Sequence, residues 1–141
     1  MIRPRTAALA GAAASVVAIA VTMLSSDAVR AALARAYVYP NDQGLDLDEA
    51  ASMTLTYLFA VGGAALVVAV LYLLARPLFG SRGGWWLGAV LALLGLAVAV
   101  YDATQEFPVA VKVAFFLPPL AGVLWLALAR PETEGEAAAA T

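Results

Sequence analysis

The sequence predicts an all-α polytopic membrane protein, a bundle of four transmembrane helices, and three observations carry that prediction. The 141 residues are 64% hydrophobic and only 13% charged, with a mean hydropathy of +0.89; soluble domains run at about 45–50% apolar and about 25% charged. The apolar residues fall in long runs separated by short stretches rich in Pro, Gly and charge. A globule this small buries only about two-thirds of its chain surface, so lipid is the natural solvent for the surplus. Four spans of about 20 residues use most of the length and leave room for one membrane domain.

The first span is expected over 6–24, preceded by Arg3 and Arg5, with Pro4 at or before the helix start. A basic flank and apolar core also resemble a signal peptide, with small residues Ala28, Ala31 and Ala32 as cleavage sites. The apolar stretch of about 18 residues exceeds the usual 7–15 of a signal peptide, so an uncleaved span is expected.

Residues 25–50 form a polar segment on the outer side. Asp27 can cap a short helix to about Tyr37, with Val29, Leu33 and Tyr37 on one face and Arg30 off it. Such an amphipathic helix suits the headgroup level. Pro40-Asn41-Asp42-Gln43-Gly44 is a dense turn signal, and Asp46 with Glu49 has the spacing of a capping box. The acidic run Asp42, Asp46, Asp48 and Glu49 does not match a calcium loop, so capping and solvation explain it.

The second span is expected over 51–75 and ended by Arg76-Pro77, with Gly80, Arg82, Gly83 and Gly84 making a short loop. The third, 85–101, opens on Trp85-Trp86, which suit an interfacial aromatic belt. It is short for a hydrocarbon core of about 30 Å, so its helix is expected to continue toward 102–106. Phe107-Pro108 breaks it. The fourth span, 109–129, carries Pro118-Pro119 near its centre, and 130–141 reads as a disordered acidic cytoplasmic tail.

Orientation follows from Arg and Lys near the span ends. A cytoplasmic N-terminus puts Arg3, Arg5, Arg76, Arg82 and Arg130 inside and Arg30, Arg35 and Lys112 outside, five against three. The chain is therefore expected in the cell membrane with both termini cytoplasmic. Seven of the eight basic residues are Arg and Ala is abundant, a bias that suggests a GC-rich bacterial genome.

Composition also excludes chemistry. With no Cys and no His, thiol redox, disulfides, zinc thiolates, imidazole ligands and a His general base are all ruled out. The net charge of −2 offers no footprint for nucleic acid, and no cofactor or metal is expected. No Asp or Glu is centred in a span, so no proton-relay carboxylate is evident.

Two features remain as candidate sites. Lys112 falls inside the fourth span about one turn from its outer end, where it can snorkel rather than meet the insertion cost of about 2.5–3.5 kcal/mol. Asp102 and Glu106 are its obvious ion-pair partners, and with Gln105 and Tyr101 they could line a polar mouth for an anionic or zwitterionic ligand. The plainer reading of the same charges is an anchored hairpin at the interface. Pro118 and Pro119 strip the Ala114 and Phe115 carbonyls of their helical donors, which predicts a kink or local break. A static kink fitting its neighbours and a broken helix exposing a binding site are both open to it.

Small residues spaced four apart, Ala7-Gly11-Ser15 and Gly84-Gly88-Ala92 with Gly95, allow close helix approach within the chain or between copies. The leading functional expectation is thus a non-enzymatic accessory or scaffold protein acting through a membrane partner or as a homo-oligomer. The alternative is a small-molecule or lipid-binding protein or oligomeric transporter using the fourth span and the Lys112 region. Last comes an enzyme acting on lipid with Asp102 or Glu106 as acid or base.

Overall fold

A computed structural model describes residues 3–131, so the tail expected from 130 onward falls, beyond Pro131, outside the described residues. The described chain is all helical: α1 Pro4–Leu24, α2 Ser26–Ala36, α3 Leu47–Ala103 and α4 Val109–Leu128. Three of these, α1, α3 and α4, are long and apolar enough to cross a membrane.

At 57 residues, α3 would extend about 85 Å if straight, nearly three times a hydrocarbon core. It does not run straight. Gly80 adopts φ 75° and ψ 168°, a backbone conformation that costs Gly little, and the helix reverses there. Residues placed symmetrically about Gly80 then meet. The Ala75 backbone lies against Gly84, the Tyr72 hydroxyl donates to the Gly88 carbonyl at 2.6 Å, and Tyr57 reaches Asp102. The two arms, 47–79 and 81–103, are an antiparallel hairpin.

This corrects the expected loop. Arg76-Pro77 does not end the helix, because Pro77 removes only one internal hydrogen bond and the arm runs another turn to Gly80. The stop is set by the residue that tolerates positive φ. Helix resumes directly after it, so the second arm starts ahead of the predicted 85, and at its other end it runs past 101 to Ala103, the direction of continuation expected.

The N-terminus of α3 matches its sequence signature. Asp46 accepts from the Glu49 amide at 2.8 Å while Glu49 accepts from the Asp46 amide at 3.0 Å, a complete capping box. Asn41 organises the preceding turn, its side-chain oxygen accepting from the amides of Gln43 and Leu45. Ahead of it, α2 buries Val29 and Leu33 against α3 and leaves Arg30 outside, paired with Asp48 at 2.6 Å. Tyr37 departs from expectation: it follows the helix in extended backbone and stays exposed. Asp27 lies in the first turn of α2 but makes no capping bond.

Helix α1 packs against both α3 and α4. Its small stripe is spent in these contacts: Gly11 faces Ala121 and Ala69, and Ser15 is buried with its hydroxyl returned to the Gly11 carbonyl. Gly62 on α3 leaves room for Ile19. Meanwhile large apolar side chains point outward, Leu93 and Val67 among them at 69% and 61% exposure. Small residues inside and large apolar ones outside is the arrangement suited to lipid, where close packing rather than apolar burial joins helices.

Two core clusters result. At the end nearer the termini, Ala7, Tyr72, Ala75, Trp125 and Ala129 pack together. At the end nearer α2, Ala18, Val29, Leu33, Leu58, Val111 and Phe115 do so.

Helix α4 stays helical through Pro118 and Pro119, so, of the expected kink or local break, the break is not formed. Pro119 is buried against Gly95 of the second α3 arm, where an added Cβ would sit 3.2 Å from the proline ring. The glycine opposite makes room for the ring.

Candidate functional site

Between the two clusters lies a cavity of about 240 Å³. Its wall draws on α1, both arms of α3 and α4, and is built almost entirely of Ala, Gly, Val and Leu, with Pro118 and Pro119 on one side. Tyr72 and Trp125 floor it at one end, their rings edge to face at 4.9 Å. Asp102 stands at the other. From the level of Gly88 to Asp102 the helix rises about 21 Å, so the cavity is long and narrow. Leu94 and Val98 line it and are also exposed, so it opens sideways toward the apolar outer surface of the bundle.

The floor is held by close backbone approach. Gly88 admits both rings, since a Cβ there would lie 2.6 Å from Trp125 and 2.9 Å from Tyr72. Trp85 turns inward and donates to the Leu126 carbonyl at 3.0 Å, tying the hairpin tip to the end of α4. Trp86 beside it faces out at the position suited to an interfacial belt.

Asp102 is the one strongly polar group in this wall, at 1% exposure. Its Oδ1 accepts the Tyr57 hydroxyl at 2.8 Å; its Oδ2 is buried with no hydrogen-bond partner among the described residues. A buried acceptor without a donor costs on the order of 1–3 kcal/mol. Such groups are uncommon in folded proteins, and this one belongs to a residue of the cavity wall.

A second, open groove of about 360 Å³ adjoins it at the α2 end. Tyr37, Tyr39, Tyr57, Tyr101 and Phe107 give it an aromatic wall, with Gln105 and Glu106 on the rim. Tyr57 belongs to this groove and also holds Asp102, so one hydrogen bond links a residue of the groove wall to one of the cavity wall.

The five candidate residues of the polar mouth are thus divided. Asp102 faces the inner cavity, Tyr101, Gln105 and Glu106 face the groove, and Lys112 lines neither. The expected ion pair of Lys112 with Asp102 or Glu106 is not made; among the described residues the single ion pair is Arg30–Asp48. The reason is geometric: Asp102 sits in the last turn of the second α3 arm, turned in toward Tyr57 across the hairpin. Tyr57 was legible only as a generic polar group in an apolar run. An antiparallel register centred on Gly80 would have placed it opposite Asp102.

Compared with protein-family models, curated proteins and solved structures, the chain matches none of them.

Proposed function

We propose that this chain is a four-span protein of the cell membrane, both termini cytoplasmic, that holds an extended apolar molecule such as a lipid chain inside its helix bundle. Each arm of α3 exceeds the roughly 20 residues that a span requires, so the hairpin counts as two spans beside α1 and α4. The observation that carries the binding reading is the cavity.

An engineered apolar cavity of about 150 Å³ already admits benzene. At about 240 Å³ this space is larger, and its lining is mostly apolar. A sideways opening gives bilayer chains a route in, and the narrow bore favours an extended guest over a compact ring.

The small-residue stripes are used inside the bundle, which leaves the accessory or scaffold role resting on the bare catalytic inventory and the short polar outer segment. Gly84 packs on Ala75, Gly88 on Tyr72 and Trp125, and Gly95 on Pro119.

Native mass spectrometry of the full chain released in a maltoside detergent tests the proposal. A retained apolar molecule is expected on the wild type and lost in Ala65→Leu, which fills the cavity wall. A bare wild-type spectrum, or an adduct indifferent to Ala65→Leu, overturns it.

A further inference from the structure

We propose that the cavity and the adjoining groove select an amphiphile with a protonated amine head, bound at the free oxygen of Asp102. The inference rests on the reading that the cavity takes an apolar chain, and it adds the chemistry of the head.

Asp102 Oδ2 needs a donor, and the described residues supply none. The surrounding wall is Ala, Gly, Val and Leu, and the one nearby hydroxyl proton, that of Tyr57, is already given to Oδ1. The donor must then come from the guest. An alcohol could donate one bond. An ammonium group donates and also neutralises the carboxylate, a charge-assisted bond about twice as strong as a neutral one.

The sign of the site is set independently by the groove. No Lys or Arg lies in the wall of either the cavity or the groove, whereas Asp102 and Glu106 do. An anionic head would meet carboxylates alone. The aromatic faces of Tyr39, Tyr57, Tyr101 and Phe107 point to the same class, because aromatic rings attract cations through their quadrupoles. Tyr57 lies in the groove wall and holds Asp102 of the cavity wall, so aromatic faces and the carboxylate stand side by side. The chain then lies along the apolar bore toward Trp125.

The test uses three twelve-carbon probes, dodecylammonium, dodecanol and dodecanoate, titrated onto the full chain in maltoside micelles at neutral pH. Wild type is expected to bind dodecylammonium about tenfold or more tighter than dodecanol, with dodecanoate weakest. Asp102→Asn keeps an acceptor for Tyr57 and is expected to bring the ammonium and alcohol within about twofold. Asp42→Asn, the same charge change in an exposed turn, is expected to leave the preference intact. The inference is overturned if wild type does not prefer the ammonium, or if the preference survives Asp102→Asn or vanishes in Asp42→Asn. Dodecanol binding that is sensitive to Ala65→Leu but shows no ammonium preference sinks only the head-group assignment. Failure of all three probes to bind sinks the chain-binding reading as well.

Discussion

Tyr57 and Asp102, 45 positions apart, meet through a 2.8 Å hydrogen bond that closes the open end of the α3 hairpin. The two arms separate at Gly80 and their far ends are free to splay, so this bond is a tie where the hairpin most needs one. Removing the Tyr57 hydroxyl leaves both carboxylate oxygens of Asp102 without a donor.

Tyr57→Phe is therefore expected to lower stability by about 1–3 kcal/mol, since it strands a buried acceptor rather than deleting both partners. Thermal unfolding in detergent, followed by far-UV circular dichroism, reads the change. An unaltered midpoint would mean that Tyr57 does not satisfy the carboxyl.

At the closed end the relevant constraint is steric. A Cβ on Gly84 would lie 2.7 Å from the Ala75 carbonyl oxygen and 3.0 Å from the Arg76 nitrogen, both backbone atoms. Neither can rotate away, so Gly84→Ala must push the arms apart, at a cost of about 1–3 kcal/mol. Gly63→Ala is the contrast: an added Cβ meets nothing within 4 Å and gains up to about 1 kcal/mol of helix propensity. Opposite shifts in the melting midpoint are expected. Equal shifts for the two variants would refute the antiparallel register.

Much of this architecture was legible because hydropathy and caps are local. The bounds of α1, the face of α2 that carries Val29 and Leu33, and the Asp46–Glu49 box follow from residues within a few positions of one another. Asp102 was also visible as a charge at a span end. Its partner was not, because sequence proximity suggested Lys112, whereas pairing across a hairpin depends on where the chain turns. Pro77 and Gly80 both signal a stop, and taking the first hid the register that sets Tyr57 opposite Asp102. The cavity was less legible still. It arises from many small residues on four segments failing to fill one volume, a property of no single motif.

Not every polar contact carries comparable weight. Arg30 reaches Asp48 at 2.6 Å, but the two side chains are 51% and 78% exposed. Two long side chains held in water gain little from pairing, so a double-mutant cycle with Arg30→Ala and Asp48→Ala is expected to give a coupling below about 1 kcal/mol. Salt should weaken it further. A coupling above 2 kcal/mol would show that α2 is docked by charge rather than by Val29 and Leu33.

The placement of the ends across the membrane is testable because the chain has no cysteine, so a single introduced thiol reports alone. Ser81 lies beside the hairpin tip and Gln43 in the turn before α3, and both are exposed. Five of the eight basic residues, Arg3, Arg5, Arg76, Arg82 and Arg130, flank the end that carries Ser81, and cytoplasmic loops are enriched in Arg and Lys. Gln43→Cys should therefore react with a membrane-impermeant maleimide in intact cells, and Ser81→Cys only after permeabilisation. The reverse pattern would overturn the orientation while leaving the hairpin intact. Equal reaction of both in intact cells would mean that the arms of α3 do not cross the bilayer.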